Sequence, residues 1–467
     1  VSTFPDSNSP ERMHIADQAT IDVILKYVNE RLVLPEAPVD GLGNREEMKA
    51  ALEGLIGSGP KDPAEVLGIY EKYLADTILS ADSPRFFAFI PAAPTKASLL
   101  FDMVVSAASL QGCSWLEAAG AVMAENQALR IMADIAGMPE SAGGTFVSGG
   151  SAGNLSALVV ARDTARNKKR ASGESLYPLA VVVSDQAHSS IQNALNILDM
   201  QAVVVPTVDG RMTHSDLDKA LAGLDVSNVV AIVATAGTTN AGIVDSIDAA
   251  ADTATKYGWW LHIDGAYGGA GMLDPTKKPL YKGIELADSI VMDPHKWWFA
   301  PFDSAALIYR NPQLAKSVHT QDASYLDVIH ADAETEFNPS DLAYHLTRRA
   351  RGMALWFSLA VNGLDAYRDA VVKGNQLAQY AAKRIMQDPD LELIHEPDLS
   401  VVLFRRNGWN AEDYERWTQM LLEKQIAFVT SSAWNGETIG RLVFLHPATT
   451  TEMVDQVIDT LQTTDLD

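Results

Sequence analysis

The chain of 467 residues is short of cysteine, of positive charge and of long apolar runs. Its one cysteine, Cys113, rules out an intramolecular disulfide and leaves no basis for a cysteine-ligated zinc site. A reducing cytoplasm is the expected compartment. Lysine and arginine total 36 against 60 aspartates and glutamates, a formal net charge of −24. Such a charge repels nucleic acid and anionic membrane at long range, so neither is an expected partner. Any phosphate ligand must then be captured locally, by backbone amides and a few cations. No uninterrupted apolar stretch is long enough to span a bilayer. The opening residues are polar, broken by Pro5 and Pro10, and lack the apolar core of a signal peptide, so the expectation is a soluble protein that is not exported.

What is present is an ordinary globular balance, 47% apolar and 21% charged, on a chain too long for one compact core. Ile21, Ile24, Leu25, Val28 and Leu32 recur at helical spacing, and a second helical stretch, AEVLGIYEKYLADTIL, follows the linker GSGPKDP. Neither has an obvious core of its own to cover, so residues 1–93 are expected to be a helical segment that packs on another subunit. From about 94 to 370, short apolar runs (LAVVVS, QAVVVPT, NVVAIVATAG, WWLHID, DSIVMD, SAALIYR) alternate with helical segments such as HSDLDKALAGL and IDAAADTATKYG. That alternation predicts an α/β domain with a mostly parallel sheet covered on both faces, and ligands gather at the carboxyl ends of such strands. Residues 371–467 read as a smaller α+β domain, with strands at SVVLFRR, IAFVTSS and GRLVFLHP.

Four elements fall where that sheet places a site. GTFVSGGSAGNLSALVVARDTA, residues 144–165, is a strand, a turn of small residues and a helix, which suits a phosphate cup. Gly149, Ser151 and Gly153 also fit the nucleophile elbow of a serine hydrolase, and a plain tight turn is a third reading. Asp264 ends the strand of LHIDGAYGG, where a carboxylate can cap the next turn, bind a metal or hydrogen-bond a protonated ring nitrogen. His188 in SDQAHSS follows another strand and is either structural or functional. Lys296, in DPHKWWFAP, either lays its stem on the tryptophans with its ammonium in water, or is held as a neutral amine that attacks a carbonyl. Together, a phosphate cup, an acid for a pyridinium nitrogen, a ring to stack and a lysine to form an imine are the parts pyridoxal phosphate requires.

In that order, SGGSAGN, SDQAHSS, ATAGTT, LHIDGAYGG and DSIVMDPHKW resemble the group II pyridoxal-phosphate-dependent amino-acid decarboxylases. The resemblance runs from SPRFFAFIP (83–91) to RRARGMALWF (348–357). It implies a fold-type I, aspartate aminotransferase-like architecture and a homodimer with shared active sites. By position, Lys296 is then the Schiff-base lysine and His295 its neighbour near the phosphate. Asp264 pairs with the pyridinium nitrogen, His188 stacks on the ring, Ala266 lies on the other face, Thr239 hydrogen-bonds the cofactor, and Ser151, Ala152 and Gly153 form the phosphate cup. Gly153 stands where the aromatic-specific enzymes often have serine, and Asp293 where they have asparagine. A carboxylate at 293, beside a phosphate dianion, must turn away or find a cation.

The resemblance further implies that HTQDASYLDV is a mobile catalytic loop with Tyr325 as proton donor, phenylalanine at that place marking aldehyde synthases. Phe89, Ile90, Pro91, Cys113 and Trp115 align with the substrate pocket, as does Phe302, which would come from the partner subunit. This apolar lining suits tyrosine, tryptophan, phenylalanine or dihydroxyphenylalanine, with histidine and methionine as alternatives. Cys113 replaces a larger phenylalanine of the animal enzymes and reshapes or enlarges the pocket. The rival from another class is a serine hydrolase built on Ser151, with His395 or His446 as its base.

Overall fold

The computed structural model describes residues 13–14, 17–90, 93–175, 177–321 and 337–462. Seven strands form the central sheet: β1 (Gly143–Val147), β2 (Leu179–Ser184), β3 (Met200–Val205), β4 (Val229–Thr235), β5 (Trp260–Asp264), β6 (Ser289–Met292) and β7 (Ala305–Tyr309). Their order is β1-β7-β6-β5-β4-β2-β3, and only β7 runs against its neighbours. This is the expected fold-type I α/β arrangement. The six apolar runs are strands because β2, β4, β5 and β6 are buried along their whole length.

Successive side chains of a strand point to opposite faces, and the core divides accordingly. Val181, Val183, Val233, Val291 and Leu307 pack in one apolar cluster, while Val182, Ile232, Ile263, Ile290 and Ile308 pack in another. Among the described residues, the α-helices up to the end of this region are, in chain order, α1 (Gln18–Leu32), α2 (Arg45–Leu52), α3 (Pro63–Tyr73), α4 (Lys96–Ala107), α5 (Trp115–Ile135), α6 (Gly150–Ser172), α7 (Ser189–Ile197), α8 (His214–Leu221), α9 (Ile247–Tyr257) and α10 (Pro312–His319). Leu158 of α6 and Leu195 of α7 cover the first face, and Met132 of α5 and Ala250 of α9 the second. Helices α1 to α3 contain no fully buried residue.

Helix α11 (Met353–Gln387) breaks at Gly363, whose φ of +75° only glycine adopts readily, and leads to a second sheet. There β8 (Leu391–Leu393), β9 (Val401–Arg406), β10 (Ser432–Trp434) and β11 (Glu437–Val443) pair antiparallel in the order β10-β11-β9-β8, with helices Ala411–Glu423 and Thr451–Asp459 alongside. One expected strand is corrected. In IAFVTSS, Phe428 makes only an isolated bridge to Phe86. Its amide donates to Arg85 O and its carbonyl accepts from Phe87 N, so this part of the segment holds the N-terminal region, and only its last residue, Ser432, enters the sheet, as the start of β10.

A buried ion pair ties α5 to the start of α11. Arg348 reaches Glu125 at 2.8 Å and also donates to Gly112 O, and Glu125 accepts from Gly352 N at 2.8 Å. Both side chains are essentially without solvent contact. Removing one partner strands the other charge, so Arg348→Leu is expected to cost about 3–5 kcal/mol. Thermal denaturation should show a clearly lowered Tm, which the added change Glu125→Leu partly restores.

Candidate active site

Because β7 reverses direction between β1 and β6, the carboxyl ends of β1, β2, β4, β5 and β6 open on one edge. At that edge each strand hands over to polar or small residues. β5 ends in Asp264, β6 leads into Asp293, His295 and Lys296, and β2 leads to His188, the N-cap of α7. β1 runs into the Gly149-Gly150 turn that starts α6. These segments line a cavity of about 170 Å³ that gathers Ser151, His188, Thr239, Asp264 and Ala266 with Asp293, His295 and Lys296. A larger groove of about 630 Å³ lies at the amino ends of β4 and β5 and contains none of them.

Lys296 Nζ stands 2.9 Å from Asp293 Oδ2. Burial alone would lower the lysine pKa, but the charge and hydrogen bond of Asp293, aided by Asp264, outweigh it and the net shift is upward. For Asp293 burial pulls upward, and Lys296 and His295 together bring the carboxyl pKa below its ordinary value. Of the two sequence readings of Lys296, its charged form is the one this surrounding favours, although it is paired and not left in water, and the carboxylate at 293 has found its cation. Asp293 Oδ2 also accepts from Gly150 N at 3.2 Å and lies 3.4 Å from His295 Nε2. Since Ser304 N donates to His295 Nδ1 at 3.0 Å, Nε2 is the ring nitrogen left to donate toward Asp293.

Asp264 is buried, with Oδ1 accepting from Ala266 N at 3.2 Å and Oδ2 from Asn154 Nδ2 at 2.9 Å. His188 Nδ1 accepts from Ser190 N at 3.2 Å. Helix α6 has no side-chain cap, and the amide of its first residue, Gly150, donates to a carboxylate in the cavity wall, as a helix start suits an anion. Ala152 N and Gly153 N are turned inward to Gly149 O. Ala152 lines an adjoining recess with Ser151 and Tyr344. Gly153 faces β6 instead of the cavity: a Cβ there would come within 2.7 Å of Val291 Cγ2, so serine has no room.

Among the described residues, none of the expected substrate-wall residues lines this cavity. Phe89 is 58% exposed and packs beside Phe86 and Phe428, while Ile90 is buried in the core. Cys113 is buried with its thiol on Glu117, and burial with that carboxylate pushes its pKa up. Trp115 opens α5 and is half-buried. Phe302 is 65% exposed, its ring 4.9 Å from that of His295 in the same chain. Pro91 and Tyr325 lie outside the described residues.

Sequence reasoning missed Asn154, Ser190 and Tyr267, which line the cavity, and Arg441 of β11. Asn154 is three residues beyond Ser151 on α6, a spacing that puts both on one face. Arg441 donates to the carbonyls of Thr239, Asn240 and Phe89 at 2.6 to 2.9 Å, bracing the loop after β4. Burial brings its pKa down to about 10, which leaves it cationic. For the hydrolase reading, no hydrogen bond joins Ser151 to a histidine among the described residues. His446 is bonded to Asp82 O and His395 to Glu396 O, so no nucleophile–base pair exists there.

Residues 46–407 match the family model described as the pyridoxal-dependent decarboxylase conserved domain. The chain is 28% identical over 463 residues to an aromatic-L-amino-acid decarboxylase of Bacillus atrophaeus, spanning 96% of this chain and 95% of the relative. It is 29% identical over 347 residues to an L-2,4-diaminobutyrate decarboxylase of Acinetobacter baumannii, 70% of this chain and 68% of the relative. The crystal structure of Oryza sativa TDC with PLP and tryptamine shares the fold, with a TM-score of 0.87 at 22% identity over 98% of each chain. The chain therefore belongs to the pyridoxal-dependent decarboxylases and is a pyridoxal 5'-phosphate-dependent amino-acid decarboxylase.

Proposed function

We propose that the substrate is an aromatic L-amino acid, tyrosine, tryptophan, phenylalanine or dihydroxyphenylalanine, converted to its amine and carbon dioxide. The observation that carries the catalytic reading is the meeting of Lys296, Asp264, His188 and the uncapped start of α6 round one cavity. These groups fit the cofactor. The first amide of α6 already donates to an anionic oxygen, and Lys296 neutralises the carboxylate beside it.

Lys296 would hold the cofactor's aldehyde carbon, Asp264 its ring nitrogen, and His188 and Ala266 its two faces. Thr239 would supply a hydrogen bond, and Ser151, Ala152 and His295 would surround the phosphate, with Gly153 behind them in the helix. When bound, pyridoxal 5'-phosphate supplies an electron sink for the pair released with carbon dioxide. Lys296 must shed a proton before it acts as a nucleophile, and Asp293 Oδ2, at 2.9 Å, is the acceptor within reach. Tyr325 is proposed as the acid that delivers a proton to the substrate α-carbon once water is excluded.

The aromatic assignment is supported by the exposed rings of Phe89 and Phe302, the latter against His295, and by the name of the Bacillus atrophaeus relative. A homodimer is proposed because α4 exposes Leu100, Met103 and Val104, and α5 exposes Leu116 and Met123, apolar groups that a second copy would cover. The single cysteine suits the cytoplasm, and no helix among the described residues is long and apolar enough to cross a membrane.

A panel of amino acids that includes L-2,4-diaminobutyrate, with products identified by mass spectrometry, tests the substrate. Amines are expected from the aromatic members, and preferential turnover of diaminobutyrate or histidine would refute the assignment. On the same panel Tyr325→Phe is expected to lose amine formation by about 10²-fold or more; equal turnover excludes Tyr325 as the donor. Asp293→Asn removes the acceptor for the Lys296 proton while keeping the shape of the side chain. Apoprotein carrying it should take up pyridoxal 5'-phosphate several-fold more slowly at pH 7, followed by absorbance, and faster uptake would show that the charge of Asp293 only holds the lysine protonated.

A further inference from the structure

Behind Asp264 runs a buried chain of hydrogen bonds with a fixed direction. The carboxylate accepts, so Asn154 turns its amino group to Asp264 Oδ2 at 2.9 Å, and the same group donates to Ser190 Oγ at 3.0 Å. Asn154 Oδ1 then faces His262 Nε2 at 2.9 Å, and that nitrogen must carry a proton. Burial lowers the His262 pKa to about 4, so the ring holds a single proton and Nδ1 accepts from Ser289 Oγ at 2.8 Å. Ser289 Oγ in turn accepts from Trp260 Nε1, a group that can only donate, at 2.8 Å. On the other branch Ser190, having accepted from Asn154, gives its own proton to His188 Nδ1 at 2.8 Å. His188 Nδ1 is thus an acceptor twice over, and the ring proton sits on Nε2.

Every member of the chain except His188 is buried, where a reversed or missing hydrogen bond is costly. One amide therefore decides the orientation of two groups that approach the cavity from different strands.

We propose that Asn154 is the positioning residue of this site, holding Asp264 directly and the imidazole of His188 through Ser190, with His262 fixing the amide from behind. The inference rests on the cofactor roles given above to Asp264 and His188. It adds a residue whose side-chain hydrogen bonds go to Asp264, Ser190 and His262 and not to the lysine. Asn154→Asp keeps the shape but replaces both donors with acceptors. Asp264 then faces a second carboxyl group, and Ser190 must turn its proton away from His188. His262→Gln retains a donor toward Asn154 and an acceptor toward Ser289, whereas His262→Leu retains neither.

The test uses purified protein supplied with pyridoxal 5'-phosphate. Readouts are the cofactor Kd, the pH dependence of the bound cofactor's visible absorbance, the kcat and KM on the best amine-yielding substrate, and the melting temperature as a control on folding. Supporting partners of this kind typically contribute about 10–100-fold. Asn154→Asp is expected to lower kcat by about 100-fold with KM within about threefold, to weaken cofactor binding about tenfold and to displace the absorbance titration. His262→Leu should behave likewise, and His262→Gln should recover most of the loss. Should His262→Leu fail to fold, Asn154→Asp decides alone. The proposal is overturned if Asn154→Asp keeps the parent's kcat and absorbance titration, or if a folded His262→Leu matches His262→Gln. Failure of the unaltered protein to bind the cofactor would instead overturn the reading beneath it.

Discussion

The ion pair between Lys296 and Asp293 is the interaction on which the site's architecture depends. A lysine just beyond β6 enters a buried edge of the sheet, and its cation must be paired or pushed to neutrality. Asp293 pairs it, and the same carboxylate fastens the start of α6 through Gly150 N and receives His295 from the side. One carboxylate thereby joins the segment after β6 to the segment after β1. The resulting ammonium is well held but chemically idle, so reactivity has to come from moving its proton along a 2.9 Å contact already in place.

Helix α6 supplies the second constraint. For its N-terminus to reach the cavity, the helix must lie close on β6, and Gly153 is where the two meet. The small residues after β1 therefore serve two purposes. Gly149 and Gly150 shape the turn that presents amides, while Gly153 lets the helix approach the sheet. The next residue, Asn154, faces the strand ends and joins Asp264 to the interior. The far sheet contributes Arg441, whose guanidinium fastens the loop after β4 by backbone carbonyls alone.

Much of this was legible in the sequence, for physical reasons. The central strands announced themselves because a strand buried on both faces must be apolar throughout, and the polar residues that end such runs fall at one edge of a parallel sheet. IAFVTSS misled because an apolar segment docking against Phe86 has the same composition as a strand in a sheet. β8, at Leu391–Leu393, is too short to leave a periodic signal. Lys296 was found, but its charge state was not, since that depends on a distance to Asp293 which spacing alone does not give. Asn154 was quoted within a motif and passed over because its partners, His262 and Asp264, come from a strand a hundred residues away. The substrate walls were the least legible, as Phe89, Cys113 and Phe302 stand on separate segments and none of them lines the cavity that holds Lys296.

All of the chemistry proposed converges on one nitrogen. Borohydride reduction of the protein loaded with pyridoxal 5'-phosphate, followed by proteolysis and mass spectrometry of the labelled peptide, tests it most directly. The account predicts a phosphopyridoxyl group on Lys296, with one group bound per chain. A label on any other lysine, or none on protein that holds the cofactor, would contradict it.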